Sequence, residues 1–234
     1  LSCCRCIPAF LRLRSVDEFV EVAAGLVQIL QPVLGVMAAD VLDDVPGEEA
    51  EAVLATIREN GGDGMIYQAD VSRLDDVKRM MRDVAKAYGQ IDVLVNNAGI
   101  VRDEYVLMLN PDTLNACFDL NVKGYFYCAQ QAVLKMFRRK CGAIINMSSV
   151  SGILALPGQS VYGATKGAVN TMTATMAKEL APYGIRVNAV APGFIETEML
   201  DALPPEKKEE YLNAIPLHRL GSVEDVAGVV SMLA

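Results

Sequence analysis

The chain has 234 residues, enough for one α/β domain with a substantial core. It carries 29 acidic against 21 basic side chains, and the net charge of −8 argues against nucleic acid as a main partner. No apolar run reaches the roughly eighteen residues of a membrane span, so the expected setting is the cytoplasm, or an organelle stroma in a eukaryote.

Taken in chain order, strands alternate with helices. Leu34 to Val41 reads as a strand ending near Asp40. Glu48 to Asn60 has helical spacing and stops at Gly61-Gly62. Met65 to Gln68 is a short strand running into Asp70-Val71, and Asp75 to Tyr88 is an amphipathic helix closed by Gly89. Ile91 to Asn96 is apolar enough for a parallel strand covered on both faces. Pro111 to Arg139 supplies long helical material, Ala143 to Met147 the next strand, and Tyr162 to Tyr183 a helix ended by Gly184. Ile185 to Val190 is a further strand, and Val223 to Leu233 a last helix. This rhythm predicts a single domain of the α/β class, a doubly wound parallel sheet.

Three cysteines crowd at Cys3, Cys4 and Cys6, while Cys117, Cys128 and Cys141 sit among apolar neighbours. That pattern fits neither a disulfide framework nor zinc spacing. The single histidine, His218, can build neither a zinc centre nor a Ser-His-Asp site, so no metal is expected.

The chemistry concentrates in Tyr162-Gly163-Ala164-Thr165-Lys166, with Ser149 thirteen positions upstream. A tyrosine and a lysine four apart share one helix face. An ammonium near a phenol favours the phenolate, and a serine hydroxyl aimed at the same point can polarise a carbonyl oxygen. Asn96-Asn97-Ala98-Gly99, Asn121 and Pro192-Gly193-Phe194-Ile195-Glu196-Thr197 keep these residues company. Asp70-Val71, the asparagine segment, Ser149 and Pro192-Gly193 each follow a strand, which is where ligands of such sheets bind. Blander readings exist for each: turn chemistry for the Asn-Gly and Pro-Gly segments, a cap for Ser149, a helix kink for Asn121.

With these motifs in this order, the sequence resembles the short-chain dehydrogenase/reductase family from about Ala39 to Ala234. Within it, the chain is most similar to the 3-oxoacyl-acyl-carrier-protein reductases. The resemblance implies a Rossmann-like fold and an NAD(P)-dependent exchange of a carbonyl with a secondary alcohol, of the kind used in fatty acid synthesis. It implies a catalytic set of Asn121, Ser149, Tyr162 and Lys166. Tyr162 would be the acid or base, Lys166 its cationic partner and a hold on the nicotinamide ribose. Ser149 would orient the carbonyl, and Asn121 would hold a water that resupplies protons through Lys166. Ser148 and Ser151 do not match the spacing. The resemblance places Asp70 and Val71 at the adenine, Asn97, Ala98 and Gly99 along the cofactor, Pro192 and Gly193 at its turn, and Ile195 and Thr197 at the nicotinamide. It also implies a homotetramer built on the helices of residues 111–139 and 162–183, and a small-molecule or acyl-thioester substrate, with acyl carrier protein as a further partner.

Asp40 gives a slight preference for NAD(H). A carboxylate at that strand end accepts ribose hydroxyls and repels a 2′-phosphate, whereas the resembled reductases commonly use NADPH. An exposed strand-end acid is the alternative. Leu154 to Gly158 and Glu198 to Pro216 border the expected pocket, the latter as a lid whose Lys207 and Lys208 face either an acidic carrier or solvent.

The front end departs from the family. Its glycine-rich pyrophosphate turn should fall near residues 15–22, where the sequence is Ser15-Val16-Asp17-Glu18-Phe19-Val20-Glu21-Val22, with no glycine. Residues 1–36 therefore read as an atypical segment with no recognisable first βα unit, and 37–234 as the family domain, expected to be incomplete at both ends. A frame or exon error explains this; so does a diverged relative, impaired in cofactor binding, that acts as a binding or oligomer partner.

Overall fold

The computed structural model describes residues 9–14, 35–40, 47–196 and 205–234, and side chains within 50–196, at 209 and over 211–234. Among the described residues, six parallel strands form one sheet: β1 (Ala9–Arg14), β2 (Gly35–Asp40), β3 (Gly64–Gln68), β4 (Val93–Asn96), β5 (Gly142–Met147) and β6 (Ile185–Val190), in the order β3-β2-β1-β4-β5-β6. This is the doubly wound order, with its direction of winding reversing between β1 and β4.

The sequence carries no recognisable first βα unit, yet Ala9–Arg14 forms a strand at the centre of the sheet, paired with β2 and β4. Its composition hides it in the sequence. Ala-Phe-Leu-Arg-Leu-Arg alternates apolar with basic residues in its second half, whereas a strand covered on both faces normally reads as a continuous apolar run. The glycine-free residues 15–22 begin where β1 ends and lie outside the described residues.

The helices are α1 (Gly47–Glu59), α2 (Leu74–Tyr88), α3 (Pro111–Phe118), α4 (Tyr125–Met136), α5 (Ser160–Leu180), α6 (Pro205–Ala214) and α7 (Val223–Leu233). Local chemistry sets several ends. Gly89 closes α2 with a left-handed φ of 79°, and Asn110 caps α3 by accepting from the Asp112 N–H, with Pro111 at the first turn. Ser222 and Asp225 close a reciprocal capping box at the start of α7.

Successive strand residues point to opposite faces, and the core splits accordingly. Leu94 and Ile144 pack with Met80, Met81 and Val84 of α2 and Cys128, Ala132 and Met136 of α4. Val93, Val95, Ala143 and Ile145 pack with Ile57 of α1 and Val226, Ala227 and Val230 of α7. A buried polar ladder ties the sheet to α5: Asn96 Nδ2 donates to Asn146 Oδ1 (2.8 Å), and Asn146 Nδ2 donates to Thr173 Oγ1 (2.9 Å). Buried polar groups are costly without partners, so this ladder fixes the height of α5 on the sheet.

Candidate active site

The carboxyl ends of the strands line up. Arg14 is in register with Asp40 and Asp40 with Gln68; Asn96 is in register with Asn146 and Asn146 with Ala189. The segments after these ends therefore share one rim. Two glycines then press the β5 exit onto α5. A Cβ on Gly152 would lie 2.7 Å from the Lys166 carbonyl carbon and 2.9 Å from the Gly167 nitrogen, and one on Gly163 would lie 2.7 Å from the Ser151 oxygen. Only backbone without a side chain permits this approach. It sets the short helical turn Val150–Gly152, which Ser149 caps, directly against the helix that carries Tyr162 and Lys166.

Lys166 is buried, at 3% exposure. Its Nζ donates to the Met147 carbonyl (2.8 Å) and sits 5.6 Å from the Tyr162 ring centroid and 5.5 Å from that of Tyr125. A cation at this range is attracted by a ring face. Tyr162 is half-buried.

Asn121 lies in a π-turn, Asp119–Gly124, between α3 and α4. Such bulges re-aim side chains and often mark functional sites. Gly124 lets this turn close on Val71, since a Cβ there would meet Val71 Cγ2 at 3.0 Å. The buried Asn121 amide accepts from the Ile100 N–H (2.8 Å), donates to the Ile100 carbonyl (2.9 Å) and donates to Thr165 Oγ1 (3.1 Å). It thus locks the β4 exit to α5.

Ser149 Oγ accepts from the Ser151 N–H (3.1 Å) and donates to Ser151 Oγ (3.2 Å); Ser151 Oγ donates to Gln159 Oε1 (2.7 Å). Ser151, passed over on spacing, is therefore the immediate neighbour of Ser149. Ser148 is buried and donates to Asn170 Oδ1 (2.6 Å).

A family model described as Enoyl-(Acyl carrier protein) reductase matches residues 37–234. The 3-oxoacyl-[acyl-carrier-protein] reductase FabG of Staphylococcus aureus strain Mu50 is 48% identical over 187 residues, 80% of this chain and 76% of that protein. A doubly substituted short-chain dehydrogenase/reductase from Serratia marcescens superposes with a TM-score of 0.88 at 27% identity, over 97% of this chain and 90% of that one. The chain belongs to the short-chain dehydrogenase/reductase family. It is an NAD(P)-dependent oxidoreductase. An NAD+-bound xylitol dehydrogenase superposes with a TM-score of 0.86 at 26% identity, over 97% of this chain and 92% of that one.

The residues at the rim fit such a cofactor. Asn97 is fully buried, and neither oxygen nor nitrogen of its amide has a hydrogen-bond partner among the described residues. Unpaired buried amides are rare, and one beside the β1–β4 reversal suits a bound polar ligand. Ala98 is also fully buried. Gly99 follows, where a Cβ would lie 3.2 Å from Asn121 Oδ1 and 3.6 Å from Lys166 Nζ. The segment assigned to the cofactor thus abuts the catalytic candidates.

Other expected contacts are more constrained. Asp70 is exposed and its Oδ1 accepts from the Ser72 N–H (2.9 Å) and hydroxyl (2.6 Å), while Val71 is fully buried, so only its backbone can face a ligand. Pro192 is tied to the β5 exit because its carbonyl accepts from the Val150 N–H (2.9 Å), and Gly193 lies over Val150. Ile195 bridges to Gly221, and Phe194 stacks on Tyr211 of α6 at 4.4 Å. Asp40 ends β2 at the rim; its side chain, Thr197 and residues 198–204 of the expected lid lie outside the described residues.

The loop after Gly99 is held by Glu104, whose carboxylate accepts from the Asn110 N–H (2.8 Å) and the Thr113 hydroxyl (2.8 Å). The Asn110 N–H, then the Thr113 hydroxyl, holds its carboxyl below the usual glutamate range. A depressed folded value means that the tie is present above the unfolded value and lost as pH falls through the folded one. Amide exchange at Asn110 is expected to be slow near about pH 7 and to lose its Glu104-dependent protection only at pH below the usual glutamate range; a Glu104→Gln chain with unchanged protection at neutral pH would contradict this.

Proposed function

We propose that this chain reduces the ketone of a 3-oxoacyl thioester to the 3-hydroxyacyl form, in fatty acid synthesis. The observation that carries this reading is the packing of the Ser149 turn against the Tyr162–Lys166 helix face through Gly152 and Gly163. The resemblance to the staphylococcal 3-oxoacyl-[acyl-carrier-protein] reductase supports the choice of substrate class. No comparison and none of the described residues favours the non-catalytic alternative.

In this reading the ketone oxygen sits between the hydroxyls of Ser149 and Tyr162. A nicotinamide cofactor, when bound, supplies the hydride to the carbonyl carbon. Tyr162 gives its proton to the oxygen as charge grows there. Ser149 shifts its hydroxyl hydrogen from Ser151 to the same oxygen and stabilises that charge. Lys166 stabilises the phenolate left behind. The Asn121 side chain is held at Ile100 and Thr165, and the proposed water for proton resupply would sit beside it.

Asn97, Ala98, Gly99, Pro192, Gly193, Ile195 and Thr197 would line the cofactor, with Asp70 and the Val71 backbone toward its adenine. Asp40 at the end of β2 favours NAD(H) modestly over NADP(H). Exposed apolar Leu114, Phe126 and Leu134 on α3 and α4 support self-association of this surface into a tetramer. Acyl carrier protein is the proposed bearer of the thioester.

The test is turnover of an acetoacetyl thioester followed by nicotinamide absorbance. Consumption of reduced cofactor is expected, with kcat/KM about two- to tenfold higher for NADH than for NADPH. Absence of turnover with both cofactors would overturn the reaction, and a strong preference for NADPH would overturn the role of Asp40.

A further inference from the structure

Tyr125, the first residue of α4, is 1% exposed and packs with Val169 and Met172 of α5, one to two turns beyond Lys166. Its hydroxyl donates to the Met147 carbonyl (3.2 Å), the same oxygen that accepts from Lys166 Nζ (2.8 Å). Its own carbonyl accepts from Asn96 Nδ2 (3.4 Å). The ammonium of Lys166 is consequently flanked by two aromatic rings, Tyr125 at 5.5 Å and Tyr162 at 5.6 Å from the centroids. A buried ammonium needs compensation for its lost water, and ring faces supply part of it. Burial keeps the Tyr125 phenol neutral, its ionisation pushed well above the ordinary range, so it presents a dipole and a ring rather than a competing charge.

We propose that Tyr125 is a positioning residue, whose ring face fixes the Lys166 ammonium opposite Tyr162. This rests on the acid–base reading of Tyr162 but assigns a residue outside the four catalytic candidates. Among the described residues, the titratable groups facing Tyr125 are Lys166 and Tyr162 from α5 and Cys128 from its own helix. From β4 and β5 it meets Asn96 and the Met147 carbonyl, neither of which titrates.

The experiment varies the ring's charge without its shape. Phenylalanine and its mono-, di- and trifluorinated forms are placed at position 125 of the full chain. The ionisation of Tyr162 is read as the phenolate absorbance lost on adding Tyr162→Phe. With phenylalanine itself, the ring face remains and the Tyr162 signal is expected near its original pH. Each fluorine weakens the ring face, and the signal is expected to move to higher pH, by about one unit over the series, with turnover at neutral pH falling about tenfold in step. Thermal midpoints that stay together across the series exclude a folding effect. A Tyr162 signal fixed at one pH across the series overturns the proposal, even if turnover falls. Turnover missing throughout with a signal that still moves would instead refute the proposed reaction and leave the role of Tyr125 standing.

Discussion

Replacing Tyr162 by phenylalanine is expected to lower kcat for the acetoacetyl thioester by roughly a hundred- to ten-thousand-fold, the usual worth of a positioned proton donor. The ring that faces Lys166 at 5.6 Å is retained, so the fold and the ammonium should stay in place. Cofactor affinity, measured by quenching or enhancement of nicotinamide fluorescence, is therefore expected to change less than about threefold. That split isolates the proton: a loss confined to kcat belongs to a group used in the chemical step. A Tyr162→Phe chain that turns over at the original rate would refute the acid–base assignment. One that loses cofactor binding and kcat together would point to a binding role instead.

Gly152→Ala is the second large effect. The added methyl would meet the Lys166 carbonyl carbon at 2.7 Å, the Gly167 nitrogen at 2.9 Å and Asn170 Nδ2 at 3.0 Å. Two of the three are helix backbone, which cannot swing aside as a side-chain tip can. The turn and α5 must separate, and overpacking of this kind costs about 1–3 kcal/mol. For a chain of this size that is a fall in thermal midpoint of about 2–4 °C per kcal/mol. The kinetic loss should be larger than stability alone explains, because the displaced turn carries Ser149. A misplacement of about 1 Å at a reacting group costs about a hundredfold. Gly228→Ala serves as the control: nothing lies within 4 Å of its added carbon in α7, and helix propensity favours alanine there by about 0.5–1 kcal/mol. If Gly152→Ala keeps both midpoint and kcat, the close approach of the turn to α5 does not organise the site.

β2 and most elements from residue 47 onward were legible because their signals are local; α6, inside the segment read as a lid, was not. Gly61, Gly89 and Gly184 all take left-handed φ angles where helical segments stop, and glycine adopts these without steric cost. The strand at Val93–Asn96 was legible because a strand covered on both faces excludes polar residues until its exit. The order of motifs after strand ends then placed Asn97–Gly99, Ser149 and Pro192 on one rim without any knowledge of distances, since parallel strands share a direction. β1 was not legible, because its arginines break the apolar run and its place at the sheet's centre is fixed only by pairing with β2 and β4.

The sequence by itself determined the fold class, the Tyr162–Lys166 spacing on one helix face and the succession of strand exits, because helical pitch and strand direction follow from neighbouring residues alone. Only the tertiary structure decided that Tyr125 lies over Lys166, and that Gly152 and Gly163 are the points where the turn meets α5. Those contacts join residues brought together by packing across α4, β5 and α5. Their partners are chosen by the close approach of backbones and by which buried polar atoms find each other, neither of which leaves a periodic trace in the chain.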